Sequence, residues 1–472
     1  MIKQKSRIFS GLDEEREHSH MKFPWKKDRE LTAVRSADDN VERVQLWCLV
    51  AVAVMELIFL VAEGRGSGFA WLYIRCYLTV PAMIFLGASL TRRIDRGDRL
   101  IFLLSMGMLV WFVVTQTVHR IQDMDNKELG VMFCTYGICL PFAALARDGQ
   151  RQRGLKCIAA VVIGVGTLLT GYAVLLVLNL RPDFFKDYVF WTENRFLALG
   201  HPNLCAAMLM LSMAICMGFF FQTRRRWVKA ALLVLAVAQF AALSLTNGRT
   251  TLVFACVLMG GIVFCALRGH GWKRKALALL AALILMVGMF AGAQKIVEAN
   301  KDRLESAAET EYIQNQDGTG QGTWDHDMRT LNGRTYIWSA ALEGLRNNPS
   351  IRIFGTEYTD LIISQYNPFP VLHGHNSWVQ VLYEMGFPGL LLALAITLLA
   401  VRGALTQLWR NTDLWKSCIA MLVLCLLGCG MLEPYLFTLN PGNHYFDIVF
   451  MLCTGYLECW RREGRENTAD CP

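Results

Sequence analysis

Charged residues are scarce in this sequence. Lys, Arg, Asp and Glu together make up 18% of its 472 residues, whereas hydrophobic residues make up 54%. A soluble protein of this length carries more charge, because its surface must be solvated. The apolar residues are also gathered into long runs, and about 20 such residues are needed for one α-helix to cross a bilayer. The composition therefore excludes an ordinary soluble protein and predicts a helical membrane protein.

The 15 cysteines form no disulfide or metal-binding pattern. No Cys-x-x-Cys pair occurs, and the longest polar stretch, 295–376, contains no cysteine. Most cysteines lie inside the apolar runs, where a free thiol packs as a small hydrophobe. The nearest approach to an acidic metal motif is Asp325-His326-Asp327, which we interpret as polarity of a Gly-rich loop. We therefore predict no metal and no cofactor.

The apolar runs predict an all-α polytopic membrane protein with about twelve transmembrane helices. Helices one to nine are expected within 43–294 and helices ten to twelve within 377–461. The predicted helices lie near 45–62, 68–90, 100–118, 129–146, 157–178, 203–222, 228–245, 251–267, 276–294, 378–401, 414–432 and 445–460. Residues 1–42 are charged, poor in aliphatic residues and without the apolar core of a cleavable signal peptide. We expect them to be a disordered cytoplasmic tail, and 462–472 to be a second tail.

The stretch 295–376 is expected to form one large extracytoplasmic loop that contains short amphipathic helices. Its middle is rich in Gly and Asp, which favours turns. The following stretch, 335–349, has apolar residues at helical spacing and ends in a proline, which predicts a short helix lying over the membrane surface or the bundle.

Basic residues mark alternate loops between the predicted spans. Four or more lie in each of the short loops near 92–99, 147–156 and 224–229, whereas the intervening loops hold far fewer. By the positive-inside rule, the basic loops and both termini face the cytoplasm. The net charge of +8 is therefore a signal of topology, and we predict no nucleic-acid partner.

Three polar groups are expected at the outer interface: Arg249, Arg334 and His375. Each has a simpler interpretation when taken alone. Arg249 could be a snorkelling residue, Arg334 a solvated helix start and His375 a cap or packing residue. Glu384 would lie one or two turns into the bilayer, where a carboxylate is either functional or paired to lock a helix. The other charged residues near the spans, Glu56, Arg75 and Glu433, are scattered along the sequence without a pattern.

One segment resembles a known family. His375-Asn376, followed by nine residues and Gly-Phe-Pro-Gly at 386–389, is similar to the histidine signature of the O-antigen ligase superfamily. This superfamily includes O-antigen ligases, O-oligosaccharyltransferases and polysaccharide polymerases. The stretches at 200–211, 247–254 and 332–358 also resemble family segments, so that the resemblance covers roughly 200 to 390.

The resemblance implies a membrane glycosyltransferase of the C type in surface polysaccharide biosynthesis. Its donor would be a glycan on a polyprenyl diphosphate, typically undecaprenyl, and its acceptor a glycan, lipid or wall hydroxyl on the outer face of the cytoplasmic membrane. His375 would be the base, because His suits proton transfer near neutral pH. Arg249 and Arg334 would bind the diphosphate, since guanidinium groups bind phosphate bidentately and stay charged. Transfer would be metal-independent and would invert the anomeric carbon.

Supporting roles are expected for Asn376, Glu384 and His373. Asn376 and Ser377 can satisfy the start of the tenth span. Gly386 and Gly389 would permit close helix approach, and Pro388 would supply a kink.

Several alternatives stay open at this level. A ligase and a polymerase share this chemistry and differ in their acceptor. A protein O-oligosaccharyltransferase is an alternative enzyme. A transporter or flippase of lipid-linked sugars fits twelve spans equally well, although its binding residues would be expected near the midplane in discontinuous helices.

Overall fold

The fold was analysed in a computed structural model of the chain. It describes residues 40, 43–48, 51, 84, 99–118, 133–140, 148–178, 180, 191–192, 195–196, 202–269, 271–300, 334–356, 359–366, 374–410, 413–438 and 444–469. The predicted tail at 1–42 and the predicted spans near 45–62 and 68–90 lie mostly outside the described residues, as do His373 and Asp325-His326-Asp327.

The described part of the chain is almost entirely helical. Its α-helices are α1 (Arg99–Val118), α2 (Asp148–Val177), α3 (Pro202–Gln222), α4 (Arg226–Leu245), α5 (Arg249–Leu267), α6 (Trp272–Ala299), α7 (Arg334–Asn347), α8 (Pro349–Phe354), α9 (Thr359–Tyr366), α10 (Ser377–Arg410), α11 (Leu414–Gly430) and α12 (His444–Ala469). A π-helix covers Phe133–Cys139. Strands β1 (Trp191–Thr192) and β2 (Arg195–Phe196) form a two-residue antiparallel pair with Trp191 opposite Phe196.

Six of the described helices are long and apolar enough to cross a membrane: most of α2, and all of α3, α4, α5, α6 and α10. Two shorter apolar helices lie at 99–115 and 414–430. These helices confirm the predicted helical membrane protein. Their bounds agree with the predicted runs to within several residues, except that α10 continues to Arg410, well past the predicted end of its span at 401. The total of about twelve spans and the large loop remain predictions. Helix α12 continues to Ala469, well past the predicted end of the last span.

Helix α3 lies at the centre of the bundle. In its membrane-length window 83% of the residues are buried, compared with 17% in α6. It packs against α2, α4, α5 and α11. Ala, Cys, Ser and Met dominate its sequence, and small side chains let neighbouring helices approach closely. Helix α6 packs against α4 and α5 and turns Leu and Val side chains outward, as a helix at the lipid boundary does.

Helix α10 is broken at Gly386, which has φ 66° and ψ −172°. A Cβ atom on Gly386 would overlap the backbone carbonyl of Ile353 in α8. Only glycine tolerates both this backbone conformation and this approach. The predicted break is therefore present and Gly386 does permit close approach, but the non-helical residue is Gly386 rather than Pro388. A Cβ on Gly389, which is also buried, would meet the side chain of Met385 in the same helix.

Three short helices, α7 to α9, connect the membrane-length helices α6 and α10. Helix α7 matches the predicted amphipathic helix, and the buried residues on its apolar face are Ile337, Ala340, Ala341, Gly344 and Leu345. Four of them, all but Gly344, form a small core with Ile351, Ile363 and Tyr383, which joins α7, α8 and α9 to the first turns of α10. This core fixes the start of α7, where Arg334 lies, close to the start of α10, where His375 lies.

Candidate active site

The start of α10 presents His375 in a constrained backbone conformation. His375 has φ 47°, in the left-handed region that few residues other than glycine adopt. Asn376 follows and caps the helix, as predicted: its Oδ1 accepts hydrogen bonds from the backbone N–H of Trp378 (2.8 Å) and Val379 (3.1 Å). The side chain of His375 is 28% exposed. The imidazole is therefore held by a capped helix and is still open to solvent.

A segment at 431–438, which is buried from Glu433 onward, runs from the end of α11 past this helix start. Asn376 Nδ2 donates to the carbonyl of Met431 (2.8 Å). Ser377 does not cap α10 but bonds this segment twice, since its Oγ donates to the carbonyl of Glu433 and accepts from the N–H of Leu436, both at 3.1 Å. The first two residues at the start of α10 thus hold the 431–438 segment in place.

The carboxylate of Glu433 lies where three helix starts meet. Its Oε1 accepts from the guanidinium Nη2 of Arg334 and from the side-chain amide of Asn203 (2.9 Å). Its Oε2 lies 3.4 Å from Nδ1 of His375. Arg334 also donates from Nε to the carbonyl of Leu432 (2.9 Å). One buried carboxylate therefore brings together two of the three predicted outer residues, Arg334 and His375.

Accessibility rises from the carboxylate to the imidazole. The side chain of Glu433 is 3% exposed, that of Arg334 14% and that of His375 28%. A carboxylate so deeply buried requires a charged or hydrogen-bonded partner. Arg334 and Asn203 supply that compensation, while His375 stands at the open side of the cluster.

Tyr435 links the cluster to the start of α5. Its hydroxyl donates to the backbone carbonyl of Asn203 (2.9 Å) and is hydrogen-bonded to the side chain of Thr251. Burial, followed by the nearby negative charge of Glu433, raises the pKa of Tyr435 well above its usual value of 10. Tyr435 is therefore a neutral hydrogen-bond donor that ties α3 and α5 to the 431–438 segment.

Arg249 is the first residue of α5 and has an exposed side chain. Within the described residues its guanidinium has no hydrogen bond or ion pair. Gly248 precedes it in a tight turn, and a Cβ there would lie 3.1 Å from Cβ of Ala206 and 3.7 Å from Oδ1 of Asn203. Arg249 therefore lies at the same end of the bundle as Arg334 and His375, beside their cluster but not within it.

Glu384 lies deeper, on α10. It is buried, and its Oε1 accepts from Gln380 Nε2 (2.6 Å) and from the hydroxyl of Thr438 (3.4 Å). Asp447 of α12 accepts from the N–H of Phe437 (2.6 Å). Gln380 and Thr438 thus hold Glu384, and the two carboxylates anchor the far end of the 431–438 segment. No group of three or more His, Cys, Asp or Glu in the described part of the chain is arranged to hold a metal ion.

The sequence presents Glu433 only as one of several scattered charges, and this interpretation is wrong. The residue pairs with Arg334 and His375. A usable signal was its place in Leu-Glu-Pro, between the last two apolar runs and at the predicted outer ends of both. Asn203 belongs to the stretch 200–211 that resembles a family segment, but nothing in the sequence predicts its contact with Glu433.

The family comparison covers the middle of the chain. The family model described as O-antigen ligase matches residues 233–394, and no curated protein matches the chain. The matched region includes Arg249, Arg334, His375 and Glu384, whereas Asn203 and Glu433 lie outside it. The match confirms the resemblance predicted from the sequence, and residues 233–394 of this membrane protein are an O-antigen ligase domain of the O-antigen ligase and polymerase superfamily.

Proposed function

We propose that the protein transfers or polymerises a glycan from a polyprenyl diphosphate donor, such as undecaprenyl diphosphate, to a hydroxyl acceptor. The acceptor is a sugar on a glycan, lipid or wall polymer at the outer face of the cytoplasmic membrane. The reaction inverts the anomeric carbon and needs no metal. Both chain termini face the cytoplasm, so that the cluster around Glu433 faces outward.

One observation carries this proposal: an arginine and a histidine converge on one buried carboxylate at the end of a membrane bundle. Arg334 and His375 both contact Glu433, and Arg249 begins the neighbouring helix. A lipid-linked donor needs a site at the end of the bundle, because its tail stays in the bilayer while its sugar and diphosphate lie in water. Cations and a base at such a place suit the cleavage of a glycosyl phosphate.

The arginines suit the leaving group. When the bond between the anomeric carbon and the phosphate oxygen breaks, the electron pair stays on the diphosphate and its negative charge rises. Arg249 is exposed and Arg334 is partly exposed, so both can approach that charge. Interactions that strengthen in the transition state lower the barrier to reaction. Guanidinium groups can supply this stabilisation where other glycosyltransferases use a divalent ion.

The histidine suits the acceptor. Nδ1 of His375 faces Glu433, which assigns Nε2 as the nitrogen that takes the proton from the acceptor hydroxyl. The acceptor oxygen then bonds to the anomeric carbon from the side opposite the diphosphate. Direct displacement of this kind inverts the configuration and leaves the proton on His375, the glycan on the acceptor and the diphosphate on the lipid.

The same site would serve a protein O-oligosaccharyltransferase, which differs only in its acceptor. A transporter is less well supported. The charged residues of this cluster gather at one end of the described helices, whereas a transporter is expected to bind its substrate near the midplane.

Reconstitution tests the proposal directly. The purified protein is placed in vesicles with an undecaprenyl-diphosphate-linked glycan and a sugar acceptor, and the glycosylated acceptor is quantified. We expect transfer that persists in chelator. Absence of transfer with intact donor and a range of acceptors would refute the enzyme, and loss of activity in chelator with recovery in Mg²⁺ or Mn²⁺ would refute the metal-independent mechanism.

Gene deletion separates the two principal activities. Loss of glycan chain length, with single repeats still attached to the acceptor, identifies a polymerase. Accumulation of lipid-linked polymer beside a bare acceptor identifies a ligase.

A further inference from the structure

We infer that Glu433 is an exchange partner that holds Arg334 before the donor binds, releases it to the donor diphosphate and then positions His375. The inference rests on the proposed function, since it concerns how the same site responds to its donor. It makes Glu433 a positioning residue, which acts through Arg334 and His375 without touching the reacting atoms.

The two oxygens of the carboxylate have different partners. Oε1 accepts from Arg334 and Asn203, and Oε2 faces His375. Without donor, the guanidinium of Arg334 therefore has part of its hydrogen-bonding capacity committed to Glu433 and to the carbonyl of Leu432. A diphosphate can use those N–H groups only if Arg334 leaves Glu433, because a second anion beside a buried carboxylate is repelled.

The contacts indicate which partner moves. Glu433 lies in the 431–438 segment, whose backbone is bonded to Asn376, Ser377 and Asp447. Arg334 is the first residue of α7, and its long side chain can rotate about several bonds with no change in the backbone. The carboxylate is thus the fixed member of the pair and the guanidinium the movable one.

When Arg334 leaves Glu433, the net charge next to His375 becomes more negative. Glu433 keeps the amide of Asn203 but loses its cation, and a buried carboxylate without a cation is costly. Nδ1 of His375 lies 3.4 Å from Oε2 of Glu433, so a protonated His375 would again balance the charge of the carboxylate. Within the described residues, the other titratable groups near Glu433 are Arg334 itself, Tyr435, which is neutral, and the buried thiol of Cys429. Donor binding therefore makes His375 a better proton acceptor, and the base is fully active only when a donor is present.

Affinity and turnover in Glu433→Gln should change in opposite directions. Glutamine keeps the size of the side chain and one oxygen that can accept from Arg334 and Asn203. It removes the charge that competes for Arg334 and replaces the oxygen that faces His375 with an N–H donor. We expect purified Glu433→Gln to bind farnesyl diphosphate, a short polyprenyl diphosphate, about 5- to 10-fold more tightly than the wild type. Turnover with the lipid-linked glycan should fall about 10²-fold, because His375 loses its partner. A residue with a purely structural role would weaken binding and turnover together.

A double-mutant cycle assigns the gain in affinity to Arg334. In an Arg334→Gln background, Glu433→Gln should give a much smaller gain, because only the repulsion between the carboxylate and the diphosphate is then relieved. Glu458→Gln is the matched control, because Glu458 is another buried carboxylate paired with an arginine, Arg461 in α12. It should leave the affinity for farnesyl diphosphate unchanged. Glu433→Asp keeps the charge but has a shorter side chain, and it replaces the glutamine variant in the test if that variant does not accumulate. Its gain in affinity for farnesyl diphosphate should be smaller.

The outcomes separate this inference from the proposed function. Equal or weaker binding by Glu433→Gln, or an undiminished gain in the absence of Arg334, overturns the exchange. Glycan transfer by the wild type would still support the proposed function in that case. A wild type that binds farnesyl diphosphate but transfers no glycan refutes the function, and the affinities still decide the exchange. A wild type that binds no diphosphate refutes both.

Discussion

Asn203 and Glu433 lie 230 positions apart in the chain, and the amide of Asn203 donates a 2.9 Å hydrogen bond to the carboxylate of Glu433. Asn203 lies at the start of the central helix α3, and Glu433 follows the end of α11. Neither belongs to the region that matches the O-antigen ligase family, 233–394. The cluster at the end of the bundle is therefore completed by residues that lie before and after the matched region in the sequence.

Removal of this hydrogen bond should affect both stability and transfer. In Asn203→Ala, Glu433 keeps Arg334 but loses one donor while it stays buried, which typically costs about 1–3 kcal/mol. We expect a lower unfolding temperature in detergent and slower transfer. Asn300→Ala is the control, because the side-chain amide of Asn300 donates a 2.8 Å hydrogen bond to the carbonyl of Ile296 in its own helix and not to Glu433. An Asn203→Ala protein as stable and active as the control would show that Arg334 alone compensates Glu433.

His375→Ala should abolish transfer while the protein still inserts and accumulates. Loss of a general base typically lowers the rate about 10²–10⁴-fold. The cap of α10 is made by Asn376, so the helix start keeps its hydrogen bonds without the imidazole. Transfer from the lipid-linked donor is measured in vesicles that contain equal amounts of each variant. His373→Ala should be milder, and the reverse ranking would move the base to His373.

Gly386→Ala should prevent stable folding. The alanine would need a left-handed backbone, and its methyl group would overlap the carbonyl of Ile353 in α8. Backbone strain alone costs about 1–3 kcal/mol, and the overlap adds to it. Accumulation in the membrane and thermal stability in detergent report the effect. Gly288→Ala on α6 is the matched control, since a Cβ there meets nothing within 4 Å, and it should be neutral or stabilising.

The bounds of the helices were predictable from the sequence because long apolar runs have few alternatives to a membrane helix. The cap at Asn376 and the apolar face of α7 were also predictable, since both follow from local spacing. The role of Glu433 was not, because its partners lie 58 and 99 positions before it and meet only when α7, α10 and α11 pack. The break in α10 was expected at Pro388, but the close approach of α8 places it at Gly386.

The orientation of the chain can be tested with reporter fusions. The basic loops predict that 295–376 lies outside the cytoplasm and that the loop before α4 lies inside. A reporter that is active only outside the cytoplasm should therefore be active when fused after residue 320 and silent when fused after residue 230. The opposite result would show that the orientation is the reverse of the predicted one. The cluster around Glu433 would then lie on the cytoplasmic side, where the proposed acceptors are absent.

Arg249→Lys gives the sharpest test of the proposed diphosphate site. Arg226 and Arg249 are both exposed and are the first residues of α4 and α5, at opposite ends of the bundle. Lysine satisfies the positive-inside rule as well as arginine does, so an arginine that serves only topology tolerates the change. A guanidinium that binds two phosphate oxygens at once does not, because lysine offers a single point charge.

We expect Arg226→Lys to be neutral, and Arg249→Lys and Arg334→Lys each to lower turnover about 10²–10³-fold, the usual loss for one contact that strengthens in the transition state. Donor affinity and turnover are measured separately in purified protein. Arg249 has no partner among the described residues, so its replacement leaves no buried group unpaired, and a loss there reports on the donor rather than on folding. If Arg249→Lys turns over like Arg226→Lys, the assignment of Arg249 to the diphosphate is wrong and Arg334 is left to bind it.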